Sequence, residues 1–148
     1  MAAVDPVALR VFIYEELVDR AAPPSIAAIG QRFGIPPNEA RSALGALRIG
    51  KTILVHPQTG ELWMAGPFSA VETPYRVTLD HRQWWANCAW DMFGVAQIVG
   101  APVRVETRCT DCGEPIALVC DPAAPPNGEG VVHFLLPARR WYEDIGFT

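Results

Sequence analysis

Apolar residues in the first half of the chain recur first at helical and then at strand spacing. Leu9, Phe12, Ile13 and Leu17 follow Asp5-Pro6, an N-cap and first-turn proline pair, and predict an amphipathic helix ending before Pro23-Pro24. Ile26, Ile29 and Phe33 predict a second, shorter helix that stops at Gly34. After Pro36-Pro37, the residues Ala40, Ala43, Leu44 and Leu47 predict a third, ending near Gly50. "TILVHPQTGELWMA" then reads as two short apolar strands around a Pro-Gln-Thr-Gly turn.

The second half is patterned differently. "ETPYRVTLD" predicts a short strand leading to Asp80, which forms a capping box with Gln83, so a long buried helix is expected from about His81 to Val99, stopped at Gly100 with Pro102 beyond. "VRVETR" and "PIALVC" are strand-like and flank a tight "CTDCGE" segment, which predicts a hairpin. "DPAAPPNGEG" reads as a loop, "VVHFLLP" as a further buried strand containing His133, and "ARRWYED" as a solvated helix start or loop with surface ion pairs. These elements predict an α+β fold. Residues 1–70 form a winged-helix-like subdomain of three helices and a hairpin, and residues 71–148 a small mixed domain with one long buried helix and antiparallel strands.

Charge bears on what the winged-helix pattern could do. A DNA-reading winged helix would present residues 37–49 as its recognition helix, with Arg41 and Arg48 as the basic contacts. Residues 1–70 hold six acids and six bases, and the whole chain carries a net charge of -4. Phosphate neutralisation supplies most of the affinity for nucleic acid, so this balance argues against a nucleic-acid partner and for a structural or protein-contact role.

At 148 residues, 50% hydrophobic and 19% charged, the composition is that of a soluble globular protein. The N-terminus shows no secretory pattern, and the longest apolar run, Trp84 to Val99, is interrupted by Asn87, Asp91 and Gln97, so no membrane span is expected and a cytoplasmic location is. In a reducing compartment the four cysteines are metal-binding, catalytic or core residues before they are disulfides. No phosphate-cradling glycine loop, Gly-x-Ser-x-Gly or His-Glu-x-x-His is present.

Two stretches can carry chemistry. In "WWANCAWDMFG", Cys88 and Asp91 are three apart, so on a helix they share a face, and Trp84, Trp85, Trp90, Met92 and Phe93 supply apolar walls. Such surroundings disfavour charge on both groups and place a proton donor beside a soft sulfur. The alternative is a core cysteine beside an aspartate bonded to backbone or to an arginine. The second stretch, "CTDCGE", puts Cys109 and Cys112 before a turn glycine. It is half of a zinc-knuckle pattern, a soft-metal or redox thiol pair, or a hairpin turn with incidental thiols; no second close pair of ligands accompanies it.

"WANCAWDMFG" followed by "GAPVRVETRCTDCGEPIALV" resembles the core of the alkylmercury (organomercurial) lyases, in which Cys-Ala-x-Asp is followed by Gly, a strand and Cys-x-x-x-Gly-x-Pro. The likeness covers roughly residues 70–140, and the family's N-terminal winged-helix-like region also fits residues 1–66. The resemblance implies cleavage of a carbon–mercury bond without a required cofactor, acting on a small organometallic or other thiophilic ligand with low-molecular-weight thiols as partners. It makes Cys88 the first mercury ligand, Asp91 a shuttle that takes a thiol proton and delivers it to the leaving carbon, and Cys109 the counterpart of a structural family cysteine. The family's second mercury-binding cysteine lies beyond the region matching "FLLPARRWYEDIGFT", and no cysteine follows Cys120 in this chain. Cys112 and Cys120 are then the thiols left to stand in for it. Taken with the Cys-x-x-Cys pattern, mercury or zinc on Cys88, Cys109 and Cys112 is the metal binding expected of these cysteines. Two other classes stay open: a winged-helix regulator or interaction module sensing a metal or thiol ligand, and a pathway enzyme using the Cys/Asp pair on a carbon substrate. Nothing in the sequence specifies an oligomeric state.

Overall fold

A computed structural model of the chain describes residues 4–51, 53–124 and 130–146. Three helices come first: α1 (Pro6–Arg20), α2 (Ile26–Phe33) and α3 (Pro37–Ala46). Asp5 caps α1, its side chain accepting from the Val7 N–H, and Ser25 caps α2 in the same way through Ala28. Leu9, Ile13, Ile29, Ala40 and Leu44 meet in the core with no exposed surface. A 3-10 turn, Leu47–Gly50, leads into the sheet.

The rest is built on one seven-stranded antiparallel sheet. Its strands are β1 (Ile53–Val55), β2 (Leu62–Ala65), β3 (Phe68–Ser69), β4 (Arg76–Leu79), β5 (Arg82–Ala86), β6 (Val103–Arg108) and β7 (Pro115–Cys120), arranged in the order β1-β2-β3-β5-β4-β6-β7. The sheet therefore runs without interruption from the expected N-terminal hairpin to the β6–β7 hairpin. A fourth helix, α4 (Asp91–Val99), follows β5 and ends at Gly100 in the left-handed conformation, φ 71°. A last 3-10 segment spans Ala138–Glu143, with Arg140 paired to Glu143 on its exposed face. Among the described residues no helix is long and apolar enough to cross a membrane.

The expected helix from His81 to Val99 is corrected: its first half is strand β5. Trp84 is buried, Trp85 half-buried and Ala86 buried, and Gln83 is exposed, a period of two rather than 3.6. Asp80, expected as a helix cap, instead occupies a tight turn at φ 53° that pairs Leu79 with Arg82. Aspartate tolerates that conformation, and adjacent tryptophans suit a pleated surface, so the hairpin wins. The strand placement also gives Trp84 a polar partner: its indole N–H donates to the carbonyl of Leu17, near the end of α1, at 2.6 Å.

The expected strand at "VVHFLLP" is also corrected. Residues 131–136 alternate between exposed and half-buried, yet their backbone pairs with no strand, and Val131 is 90% exposed. Side chains anchor the segment instead. Phe134 packs on Trp141 with ring centroids 4.8 Å apart, and the Trp141 indole N–H donates to the Leu136 carbonyl at 2.9 Å.

Helix α4 lies tightly against the turn before β3. A Cβ at Gly94 would sit 3.1 Å from the Pro67 Cβ, closer than most side chains tolerate, so glycine there sets how near the helix comes to the Gly66-Pro67 turn. Since Trp84 ties β5 to α1, Trp84→Phe should cost about 1–2 kcal/mol by leaving a buried carbonyl unpaired. Gln83→Ala, on the solvent side of the same strand, should stay within about 0.5 kcal/mol of the wild type. Urea unfolding midpoints at constant slope check both.

Candidate functional site

Cys88 sits in the turn that joins β5 to α4, and Asp91 is the first residue of the helix. The turn is already helix-like. The Cys88 carbonyl accepts from the Met92 N–H at 3.3 Å and the Trp90 carbonyl from the Phe93 N–H at 3.2 Å. One turn of α geometry is enough to put positions i and i+3 on one side. The thiol and the carboxyl meet there although the long helix expected to carry them does not exist.

Their neighbours describe a compact unit. The Asp91 side chain and the backbone N–H groups of Asp91 and Trp90 all lie close enough to act on the Cys88 thiol. The Asn87 side chain lies close enough to Asp91 to lower the pKa of its carboxyl. Asn87 is held by its own backbone N–H, which donates to the Pro67 carbonyl at 3.1 Å, and its side-chain oxygen is buried with no partner.

Burial sets the electrostatics. It pushes the Cys88 thiol above its ordinary pKa, and the negative charge of Asp91 pushes it further; the backbone N–H bonds oppose this in part. Burial likewise raises Asp91, against the lowering effect of the Asn87 and Cys88 hydrogen bonds. Tyr75 is raised by burial and then by proximity to Cys88. Tyr14 is raised by burial, with Arg10 opposing and Asp91 adding; its hydroxyl donates to the Gly66 carbonyl at 2.7 Å.

Two hollows meet at Cys88. One, of about 280 Å³, is lined by Cys88, Asp91, Asn87, Trp90, Met64 and Phe134, and is closed by Lys51, Trp141 and Tyr142. The Tyr142 hydroxyl donates to the Lys51 carbonyl at 3.2 Å and the Lys51 ammonium stands 4.6 Å from the Tyr142 ring centroid, so the C-terminal segment is clamped across the cavity. This volume falls at the small end of ligand pockets, roughly 300–1,000 Å³. The other, a groove of about 460 Å³, runs past Tyr75, Cys88, Ala89, Thr110, His133 and Phe134.

Not every expected wall residue belongs here. Trp90 lines the cavity and is 64% exposed. Trp84 is 3% exposed and packs in the core, 6.4 Å from the Phe68 ring centroid. Trp85 pairs with Ser69 and Arg76 in the sheet, and Phe93 packs against the core from α4; neither lines the cavity. The walls that periodicity did not reveal are Met64, Tyr75, Asn87, Phe134, Trp141 and Tyr142. Asn87 was the legible one, an amide beside the cysteine in an apolar run.

The other thiols are separate from this unit. Cys120 is 3% exposed and pairs with Val103 in the core. Cys109 and Cys112 occupy the β6–β7 turn, half-buried and exposed respectively, and the Cys112 N–H lowers the pKa of the Cys109 thiol. Among the described residues no three His, Cys, Asp or Glu side chains cluster to hold a metal ion, so the four ligands of a structural zinc site are not assembled there. Arg41 on α3 and Arg48 beyond it are exposed.

With that geometry in hand, the sequence profile of the alkylmercury lyases (MerB) matches residues 68–147, more than half of the chain and all of the site's turn and helix. The chain belongs to the alkylmercury lyase family. Curated alkylmercury lyases of Bacillus cereus and Clostridium butyricum are each 36% identical to it over 52 residues, which is 35% of this chain and 24% of theirs. The matched stretch thus spans about a quarter of the length of those alkylmercury lyases. A crystal structure of the mercury-bound form of MerB2 shares the fold, with a TM-score of 0.63 at 19% identity, covering 83% of this chain and 60% of that one.

The electrostatics of this family member give a direct expectation. Cys109 should be alkylated by iodoacetamide at lower pH than Cys88, because a thiol whose pKa is raised reaches its reactive thiolate only at higher pH. Asp91→Asn removes a negative charge beside Cys88, so it should lower that pKa and speed alkylation of Cys88 several-fold at neutral pH. Peptide mass mapping across a pH series reads both.

Proposed function

We propose that this chain binds organomercurials through Cys88 and cleaves their carbon–mercury bond with Asp91 as the proton carrier. The observation that carries this reading is that Cys88 and Asp91 line one half-buried, mostly apolar cavity, close enough for each to shift the other. Mercury is soft and suits thiolate sulfur. Family membership adds to the reading, since the matched residues 68–147 include both groups.

The chemistry balances without a cofactor. An organomercurial arrives as R–Hg–SR′, with R′SH a low-molecular-weight thiol. The Cys88 sulfur bonds mercury as its proton passes to Asp91, and R′S⁻ is displaced. Asp91 then gives that proton to the carbon; the electron pair of the carbon–mercury bond becomes the carbon–hydrogen bond, and RH leaves. R′S⁻ returns to the mercury, leaving Cys88–S–Hg–SR′. A second R′SH releases Hg(SR′)₂ and restores the Cys88 thiol.

The raised pKa of Asp91 serves both proton transfers. A carboxylate held in water would be too weak a base toward a thiol, whereas burial makes it a better acceptor and keeps the proton until carbon takes it. Asn87 orients the carboxylate, and Trp90, Phe134 and Met64 exclude water around the alkyl group. Helices α1–α3 with β1 and β2 are, in this reading, a winged-helix-like scaffold that carries the Lys51 edge of the cavity.

Incubation with an arylmercury salt and excess thiol should release the arene. Cys88→Ser should abolish release, and Asp91→Asn should slow it by about 10²–10⁴, the usual worth of a positioned proton donor. An arene yield unchanged in Cys88→Ser, or none from the wild type, would contradict the reading.

A further inference from the structure

The groove on the far side of Cys88 ends at Thr110, and Thr110 lies between two cysteines. Cys109 and Cys112 belong to a closed turn. The Cys109 N–H donates to the Glu114 carbonyl at 2.9 Å, the Gly113 N–H donates to the Cys109 carbonyl at 3.0 Å, and Gly113 takes φ 74°, a conformation that favours glycine. Arg108 ties the turn down by donating to the Gly113 carbonyl at 3.1 Å. Cys112 faces solvent and its thiol is 3.9 Å from the Glu114 carboxylate. The two cysteines are three residues apart on this one turn, and Cys112 lowers the pKa of the Cys109 thiol.

Coordination number decides what such a pair can hold. Zinc needs four ligands in a structural site, and among the described residues no third or fourth donor joins these two. A soft cation that is content with two sulfurs in line needs nothing more. Two thiols on one turn also act as a chelate, so the second bond forms intramolecularly and a monothiol in solution competes poorly.

We propose that the Cys109–Cys112 turn is a second thiophilic-metal site, one that binds mercuric ion as a two-coordinate dithiolate and takes it from Cys88 along the Thr110 groove. The hand-off rests on the lyase reading; the binding site does not. In the transfer, the Cys88–S–Hg–SR′ product loses both of its sulfur bonds as two form to Cys109 and Cys112. The two thiol protons displaced go to Cys88 and to R′S⁻, so no oxidant or reductant is involved. The turn would thus clear mercury from the cavity in place of a second solution thiol.

The test uses the full, reduced chain in two arms. In the first, Cys88→Ser protein is loaded with mercuric chloride, challenged with excess glutathione and weighed by native mass spectrometry. It should retain one mercury, and Cys88→Ser/Cys112→Ser should retain none. Loss of mercury from the former, or retention by the latter, overturns the site. In the second arm, wild type is given an arylmercury salt with sub-stoichiometric thiol and its mercury is located by peptide mapping. Mercury without its aryl group at residues 109–112 in the wild type, and none in that form in Cys88→Ser, supports the hand-off. Released arene with mercury absent from that peptide overturns it. Absence of arene refutes the lyase reading, and with it the hand-off, while the first arm still decides the metal site.

Discussion

Burial makes negative charge expensive at both Cys88 and Asp91, and their proximity makes it more expensive still for both to be ionised together. The pair is therefore disposed to share one proton rather than to ionise twice. In the proposed reaction a soft electrophile changes the balance: once sulfur bonds a metal, its proton passes to the carboxylate. The surrounding structure reads as a means of keeping that pair together and dry.

Several elements are needed for this. The sheet brings β5 to the edge of the site and the Trp84–Leu17 bond fixes β5 to α1. The close approach of α4 to Pro67, possible because residue 94 is glycine, brings the helix's first turn to the cavity that Gly66 and Met64 also line. The segment after residue 130 crosses from the other side, pinned by Phe134, Trp141 and Tyr142. Each contact acts on the cavity's dryness more than on its chemistry. The thiols of the β6–β7 turn stand outside the cavity, where an ion leaving Cys88 would meet water.

The α+β fold, the three N-terminal helices and both hairpins were legible from the sequence, because caps, turn glycines and apolar periods agree there, and so was the three-residue spacing that puts Cys88 and Asp91 in one cavity. The long helix was not. Trp84, Trp85 and Trp90 make a run apolar at nearly every position, and a run without contrast fits a helix and a strand equally well. The deciding signal was local, at Asp80 and His81, where a turn with positive φ starts the β5 strand. The three-residue spacing of Cys88 and Asp91 survived that error because it needs only one turn. "VVHFLLP" misled in the opposite way: its alternation is real as burial, but strand pairing depends on a neighbour that no single segment encodes. Met64, Phe134 and Tyr142 converge from distant parts of the chain, and their place in the wall follows from the fold alone.

The central claim is that one proton moves from Cys88 to Asp91 when sulfur takes the metal. Difference infrared spectroscopy, with an arylmercury salt added at neutral pH to wild type and to Asp91→Asn, follows the carboxyl directly. The account predicts that a protonated-carboxyl band appears on mercury binding in the wild type and is absent from Asp91→Asn. A wild-type carboxylate that stays ionised throughout, with the thiol proton released to the buffer, would contradict it.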